Sequence, residues 1–322
     1  MCLCKGLRMN VRKNKLLDKL KNFIVLFIIF IFISLVAIMI INYYCLNDFE
    51  KDYPIFKIEE SQDLLSFKKE SSVTLFEIFD DTVVSEIRER ETILPRTKDK
   101  LPLVAIIIDD IGFDKKIAEK LSKIDRNITF SILPASPFGR EIAESLYKKK
   151  VDIMLHLPME PIQYPDIDPG IGAIFAHMSK QELITQVRKN LNAIPYIKGV
   201  NNHMGSRLTS MVVPMNEIFT VLKKKDVFFI DSMTSKKSIC KSLTKHLQIP
   251  FARRDVFLDN IQSPAHIKKQ MKILIDIAFF HGTAIGIGHP YKVTYTTLKK
   301  IFPQFKSKVK FVSASVLVEF SN

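Results

Sequence analysis

From Leu101 to the C terminus, short apolar runs alternate with longer segments in which apolar residues recur at helical spacing. The short runs are continuous and rich in β-branched residues, which predicts strands buried on both faces. Strands are predicted at Leu103–Ile108, Ile128–Leu133, Val151–Leu155, Ile197–Val200, Val227–Ile230, Ala284–Ile287 and Val309–Val312. Helices are predicted at Lys115–Ile124, Gly139–Lys149, Ser179–Ala193, Met215–Lys224, Lys236–His246, Pro264–His281 and Thr296–Phe302.

Repeating strand–helix units predict an α/β fold with a parallel sheet and right-handed crossovers. Two helix starts carry clear signals: Ser179 with Glu182 forms a capping box, and Ser263 precedes a proline at the first helical position. Seven or eight such units in about 220 residues favour closure into a barrel, whose strands end at one shared mouth.

A different pattern precedes this region. Residues 23–41 form nineteen positions without a charge or a proline, long enough to cross a bilayer as a helix and too long for a cleavable signal peptide. Seven basic residues and one acidic residue lie before this block, which favours a cytoplasmic amino terminus. We therefore predict a cytoplasmic basic tail over 1–22 and a transmembrane signal anchor over 23–44.

The segment 45–100 mixes charged residues with short apolar groups and ends in a turn-rich stretch, so we predict a stalk or linker. The region 101–322 is predicted to be the main domain. It stands on its own hydrophobic core, since the four cysteines leave no even set within it to form disulfides.

The charge of the chain is unevenly placed. The total is +14, to which residues 1–22 contribute +6 and residues 45–100 contribute −5, which leaves +13 for residues 101–322. A basic domain outside the membrane suits anionic envelope polymers or lipid headgroups, although a general preference for surface lysine also explains it. Nucleic acid is not an expected partner, because the sequence has neither interleaved arginines and aromatics nor a Cys/His finger spacing.

Polar side chains interrupt the apolar runs where the predicted strands end. These side chains are Asp109, Asp110, His156, Asn201, Asn202, His203, Asp231 and His289. Because ligands of α/β proteins bind at the carboxyl ends of parallel strands, we expect these groups to share one site. One carboxylate and two imidazoles form the common ligand set of a catalytic zinc ion, with a position left for water. A second carboxylate is then placed to act as base and a further histidine as acid.

Adjacent aspartates point to opposite faces of a regular strand. Asp109 and Asp110 therefore turn inward together only where the strand becomes irregular at its end. The alternative is that one of them caps the following helix.

Seven motifs, in order, resemble the divergent polysaccharide deacetylase family, a branch of the NodB-like carbohydrate esterases. They are Asp109–Gly112, His156–Pro161, Asp166–Gly170, Asn201–Arg207, Phe229–Thr234, Arg254–Asp259 and Ile287–Pro290. The resemblance covers roughly Pro102 to Val318. It implies a distorted (β/α) barrel of about seven units, a divalent metal that is usually zinc, and hydrolysis of N-acetyl groups on envelope glycans.

The resemblance also implies roles for single residues. Asp109 corresponds to the catalytic base, and Asp110, His156 and His203 to the metal ligands. The usual second histidine four positions after His156 is Glu160 here, so His203 from the next strand takes its place.

Two further roles, those of a catalytic acid and of its orienting carboxylate, follow from the same resemblance. His289 corresponds to the catalytic acid, oriented by Asp231 or Asp259, and Asp231 is retained as a catalytic candidate. Asn202 and Arg207 are expected to position the loop or the substrate.

Two functions are therefore predicted. The first is a metal-dependent deacetylase acting on an envelope polysaccharide, anchored in the bacterial inner membrane by a single span with its main domain in the periplasm. The second is a non-catalytic envelope protein that binds glycan or a partner through the same pocket.

Overall fold

The computed structural model describes residues 101–320. The predicted basic tail at 1–22, the signal anchor at 23–44 and the stalk at 45–100 lie outside the described residues. Within 101–320, no helix combines the length and the apolar character needed to cross a membrane.

Within residues 101–320, nine strands form one sheet in which every pair of neighbouring strands is parallel. The strands are β1 (Leu103–Ile111), β2 (Thr129–Ile132), β3 (Ile153–Met159), β4 (Gly199–Met204), β5 (Phe228–Asp231), β6 (Phe251–Arg253), β7 (Val256–Phe257), β8 (Thr283–Gly288) and β9 (Lys310–Phe311). Their order is β6-β5-β4-β3-β2-β1-β8-β7, with β9 beside β1.

Seven α-helices connect these strands in the described region. They are α1 (Lys115–Ser122), α2 (Gly139–Lys148), α3 (Lys180–Ala193), α4 (Val212–Lys224), α5 (Cys240–Leu247), α6 (Pro264–His281) and α7 (Lys292–Ile301). Both predicted helix starts are confirmed: Ser179 and Glu182 form a reciprocal capping box, and the Ser263 side chain accepts from the backbone N–H of His266 ahead of α6.

Strand β1 lies in the interior of the sheet, with a neighbour on each edge. Its whole length from Leu103 to Ile108 pairs with β8, while its other edge is shared by β9 near Leu103 and by β2 from Ile107 onward. Residues 104–108 are at most 1% exposed, which confirms that this strand is buried on both faces.

The strands form a parallel sheet connected by helices, so the predicted parallel α/β fold is confirmed. The strand path begins at β6 and ends at β7, and no ladder between these two is found within 101–320. The carboxyl ends of β1, β3, β4 and β8 nevertheless open toward one mouth.

Several element boundaries differ from the prediction. Strands β6 and β7 were not predicted, because three and two residues are too short to produce a periodic pattern. Helix α4 begins at Val212 rather than Met215, which places Pro214 in the first turn where its missing N–H costs nothing. Helix α5 begins at Cys240 rather than Lys236, and α7 at Lys292 rather than Thr296.

Candidate metal centre

An irregularity at the end of β1 turns two adjacent aspartates toward the same place. The pairing of β1 with β2 shifts register between Ile108 and Ile111, and Asp110 adopts a left-handed backbone with φ of 53°. Asp109 Oδ2 lies 3.7 Å and Asp110 Oδ1 lies 3.3 Å from the same atom, Nε2 of His156. The bulge therefore supplies the irregularity that two inward carboxylates require.

Gly112 and Asp114, which follow the two aspartates, form the turn into α1 and the cap of that helix. Gly112 has φ of +140°, and a Cβ at this position would lie 1.9 Å from the Oγ of Ser136, so only glycine fits the turn. Asp114 caps α1, because its carboxylate accepts from the backbone N–H groups of Lys116 and Ile117. Neither Asp109 nor Asp110 is the helix cap.

The register of β3 against β4 brings the two histidines together. His156 lies opposite Asn201 and Pro158 lies opposite His203, so His156, Asn201 and His203 face the same side of the sheet. The Nδ1 of His203 is 3.1 Å from the Nε2 of His156. Asn202 points to the other face, where its amide donates to the Met204 carbonyl and accepts from the Ser232 N–H.

Three atoms form a compact group suited to a cation: Asp110 Oδ1, His156 Nε2 and His203 Nδ1. The distances between them are 3.3 Å, 3.1 Å and 3.1 Å. Bonds of about 2.0–2.1 Å in a tetrahedral arrangement separate ligand atoms by about 3.3 Å, so the spacing fits a divalent ion such as zinc. The buried Oδ1 of Asp110 has no hydrogen-bond partner, which is the condition expected of an atom that binds a cation.

The electrostatics of the group agree with this fit. Burial opposes ionisation of Asp110, but its contacts with the two imidazoles and their positive charge hold its pKa well below the usual range. Burial likewise opposes protonation of His156, yet the charges of Asp109 and Asp110 raise its pKa. The carboxylates thus attract positive charge to the point between the three atoms.

Asn201 links the metal group to Asp109, and its part was not predicted. The Nδ1 of His156 donates to Asn201 Oδ1 at 2.9 Å, which leaves Nε2 free to bind a metal. The Asn201 amide nitrogen donates to both carboxylate oxygens of Asp109, at 2.9 and 3.0 Å. The signal available in the sequence is the two-residue spacing to His203, which places Asn201 rather than Asn202 on the site face.

Replacing Asn201 by alanine is expected to lower zinc affinity about 10–100-fold, because the acceptor that fixes the His156 ring is lost. Competition with a chromophoric chelator measures this affinity on the purified chain. Asn202→Ala, on the opposite face, is the matched control and is expected to keep the wild-type affinity. Equal affinities in the two variants would contradict the orienting role of Asn201.

Asp109 is buried beneath this group, 2% exposed, and burial raises its pKa. Its only described hydrogen-bond donor is the Asn201 amide, so the carboxylate keeps the capacity to accept a proton beside the metal position. This is the arrangement expected of a general base.

His289 follows β8 on the opposite side of Asp110. Its Nδ1 lies 2.9 Å from Asp259 Oδ1, and its Nε2 lies 3.9 Å from Asp110 Oδ2. The second oxygen of Asp259 accepts from the His289 N–H at 2.7 Å and from the Thr294 hydroxyl at 2.6 Å. Burial lowers the pKa of His289, but the hydrogen bond to Asp259 and the nearby carboxylates together raise it to about 9.

Asp259 is therefore the carboxylate that orients His289. The sequence alone did not distinguish it from Asp231. The structure places Asp231 at the end of β5, where it accepts from the Met233 N–H at 2.8 Å and the Ser238 hydroxyl at 2.5 Å. Burial raises its pKa. These contacts join Asp231 to the loop before α5 and not to His289.

Arg207 connects two loops at the mouth through its salt bridge with Glu160. Its guanidinium donates to Glu160 Oε1 at 2.7 Å, and Glu160 Oε2 accepts from the Ala176 N–H at 2.5 Å. Glu160 thus occupies the position of the absent second histidine without joining the metal group. Half of the Arg207 side chain, 51%, stays exposed at the mouth, and its contact with substrate stays a prediction.

The family described as divergent polysaccharide deacetylase matches residues 106–318. The uncharacterized protein YibQ of Escherichia coli is 30% identical over 215 residues, 67% of either chain. An uncharacterized protein of Haemophilus influenzae is 33% identical over 196 residues, 61% of this chain and 69% of that one. The crystal structure of an uncharacterized protein from Agrobacterium tumefaciens has a TM-score of 0.65 and 22% identity, covering 70% of this chain and 92% of that one, which shows a shared fold.

Proposed function

Because the chain belongs to the divergent polysaccharide deacetylase family, we propose that it is a metal-dependent hydrolase that removes N-acetyl groups from a bacterial envelope polysaccharide. The observation that carries the proposal is the meeting of Asp110, His156 and His203 within 3.3 Å of one another, with Asp109 and His289 on either side. We further propose that the scaffold is a distorted (β/α) barrel of about seven units.

Asp110, His156 and His203 would hold the divalent metal, which we propose to be zinc. Bound there, such an ion polarises a carbonyl group and lowers the pKa of water. Asn201 accepts from His156 Nδ1, so the His156 Nε2 would be available to bind the ion. The salt bridge from Arg207 to Glu160 connects the loop that follows β4 to the end of β3.

Asp109 and His289 divide the proton transfers of amide hydrolysis. Asp109 accepts the proton of the attacking water as the new carbon–oxygen bond forms. His289, held by Asp259 through Nδ1, donates a proton from Nε2 to the amide nitrogen as the carbon–nitrogen bond breaks. The products are acetate and a glycan with a free amine.

Acetate release from a panel of N-acetylated glycans tests this proposal with the purified, zinc-supplied chain. The proposal predicts acetate in proportion to new amine groups. Binding of glycans without any acetate release across the panel would contradict it and support the non-catalytic binding protein instead.

We also propose that the protein is anchored in the inner membrane with this domain in the periplasm. The support is the uncharged block at 23–41 and the seven basic residues before it. A reporter enzyme fused after Asn322 is expected to behave as exported, so a periplasm-dependent phosphatase is active there. Activity of a cytoplasm-only reporter at the same position would contradict this topology.

A further inference from the structure

A cavity of about 480 Å³ opens directly beside the metal centre. Its wall includes Asp110 itself, and it extends between the loop after β1 and the first turns of α7. The residues that give it chemical character are Phe113, Lys116, Lys120, Lys292 and Tyr295. Because one wall belongs to the reaction centre, a glycan whose acetyl group lies at the metal can extend a neighbouring sugar into this space.

The residues that line the cavity carry more positive than negative charge, with three lysines against the two carboxylates of Asp110 and Asp114. In the described part of the chain, none of the three lysines forms an ion pair with a carboxylate, whereas the adjacent Lys115 pairs with Glu141 at 2.9 Å. Neither carboxylate pairs with the ammonium group of one of the three lysines in the described residues. Asp110 faces the histidines, and Asp114 accepts at 2.7 and 3.2 Å from the first turn of α1.

Aromatic rings share this wall with the ammonium groups. Phe113 is 62% exposed, and Lys120 Nζ lies 6.0 Å from the centre of the Tyr295 ring. An aromatic face packs on the apolar face of a sugar, and polar groups beside it fix the sugar's substituents. Unpaired cations in that place select a substituent of negative charge.

We propose that this cavity binds an anionic group, a carboxylate or a phosphate, on a sugar next to the one that is deacetylated. The proposal rests on the deacetylase function and names its substrate class: an acidic N-acetylated glycan rather than a neutral one. The net charge of +13 on residues 101–322 acts in the same direction by attracting such a polymer.

Four tetrasaccharides test the proposal by calorimetric binding to the full chain in the presence of zinc. They are a hyaluronan tetrasaccharide, its carboxyl-reduced form, fully N-acetylated chitotetraose, and the same N-acetylated chitotetraose carrying a 6-phosphate. Three ammonium contacts of roughly twofold each multiply to about tenfold, so the acidic glycans are expected to bind about tenfold more tightly than their neutral partners. Preference for the first or the fourth glycan tells whether the site takes a carboxylate or a phosphate.

Two triple variants separate the cavity from overall charge. K116Q/K120Q/K292Q is expected to lose the preference for acidic glycans. K148Q/K223Q/K300Q, which removes three exposed lysines from the last turns of α2, α4 and α7, is expected to keep it. Both leave the metal ligands intact, so a preference caused by direct contact of the carboxylate with the metal would survive in the first variant.

Survival of the preference in K116Q/K120Q/K292Q, equal affinities of wild type for acidic and neutral glycans, or no binding at all would each overturn the proposal. Acetate release, measured with the same glycans, separates the acidic-glycan site from the proposed deacetylase function. If the preference is present and lysine-dependent but no glycan releases acetate, the acidic-glycan site is supported and the deacetylase function fails.

Discussion

Replacing His156 or His203 by alanine is expected to abolish stoichiometric zinc binding. Structural zinc sites gain about 10–16 kcal/mol from four ligands, or about 3 kcal/mol each, so losing one of three ligands lowers the affinity about 10²-fold or more. Asp110→Asn is expected to have a similar effect, since it removes the only anionic ligand. Metal analysis of the purified chain after gel filtration measures the stoichiometry.

His177→Ala is the matched control for this experiment. His177 is exposed and stacks on Phe175 at 5.5 Å between ring centres, away from the metal group. This variant is expected to retain one metal ion per chain. A full complement of zinc in His156→Ala or His203→Ala would remove that residue from the ligand set.

Asp109→Asn is expected to keep the metal and the fold while turnover falls by roughly 10²–10⁴-fold, the usual contribution of general acid–base catalysis. The amide is close in size to the carboxylate and lacks its basicity. Steady-state acetate release, with metal content measured on the same sample, separates loss of the base from loss of zinc.

Asp231→Asn provides the comparison. Asp231 contacts the loop before α5 rather than the metal group, so its replacement is expected to affect stability more than turnover. Unchanged turnover in Asp109→Asn would show that the base lies elsewhere.

The patterning of apolar residues was sufficient to predict the parallel α/β architecture and most of its elements. Long, continuous runs such as the one in β1 are buried on both faces and leave little choice of secondary structure. Short edge strands are different. β6 and β7 owe their pairing to neighbours that are distant in sequence, and three or two residues carry no periodic signal of their own.

The convergence of Asp110, His156 and His203 was predictable because each follows an apolar run that ends at the mouth of a parallel sheet. The finer geometry was not. The inward turn of both Asp109 and Asp110 depends on a bulge against β2, and the choice of Asn201 over Asn202 depends on the register of β3 with β4. Register and bulges arise from tertiary pairing and cannot be read from a single strand.

The carboxylate that hydrogen-bonds His289 was also not predictable from the sequence, because it depends on strand pairing. Asp259 and Asp231 both follow short apolar runs, so the sequence did not distinguish them. The structure does, because β7 pairs with β8 and carries Asp259 to the end of the strand that precedes His289. A contact between residues 30 positions apart was decided by the pairing of two strands.

We propose that Asp110, His156 and His203 hold one divalent ion on which deacetylation depends. The direct measurement removes metal from the purified chain with a chelator and restores zinc in steps while acetate release from an N-acetylated, acidic oligosaccharide is followed. Acetate release is expected to stop without metal, to rise in proportion to added zinc and to level off at one ion per chain. Acetate release that persists in the metal-free chain, or that never depends on zinc up to one equivalent, would contradict it.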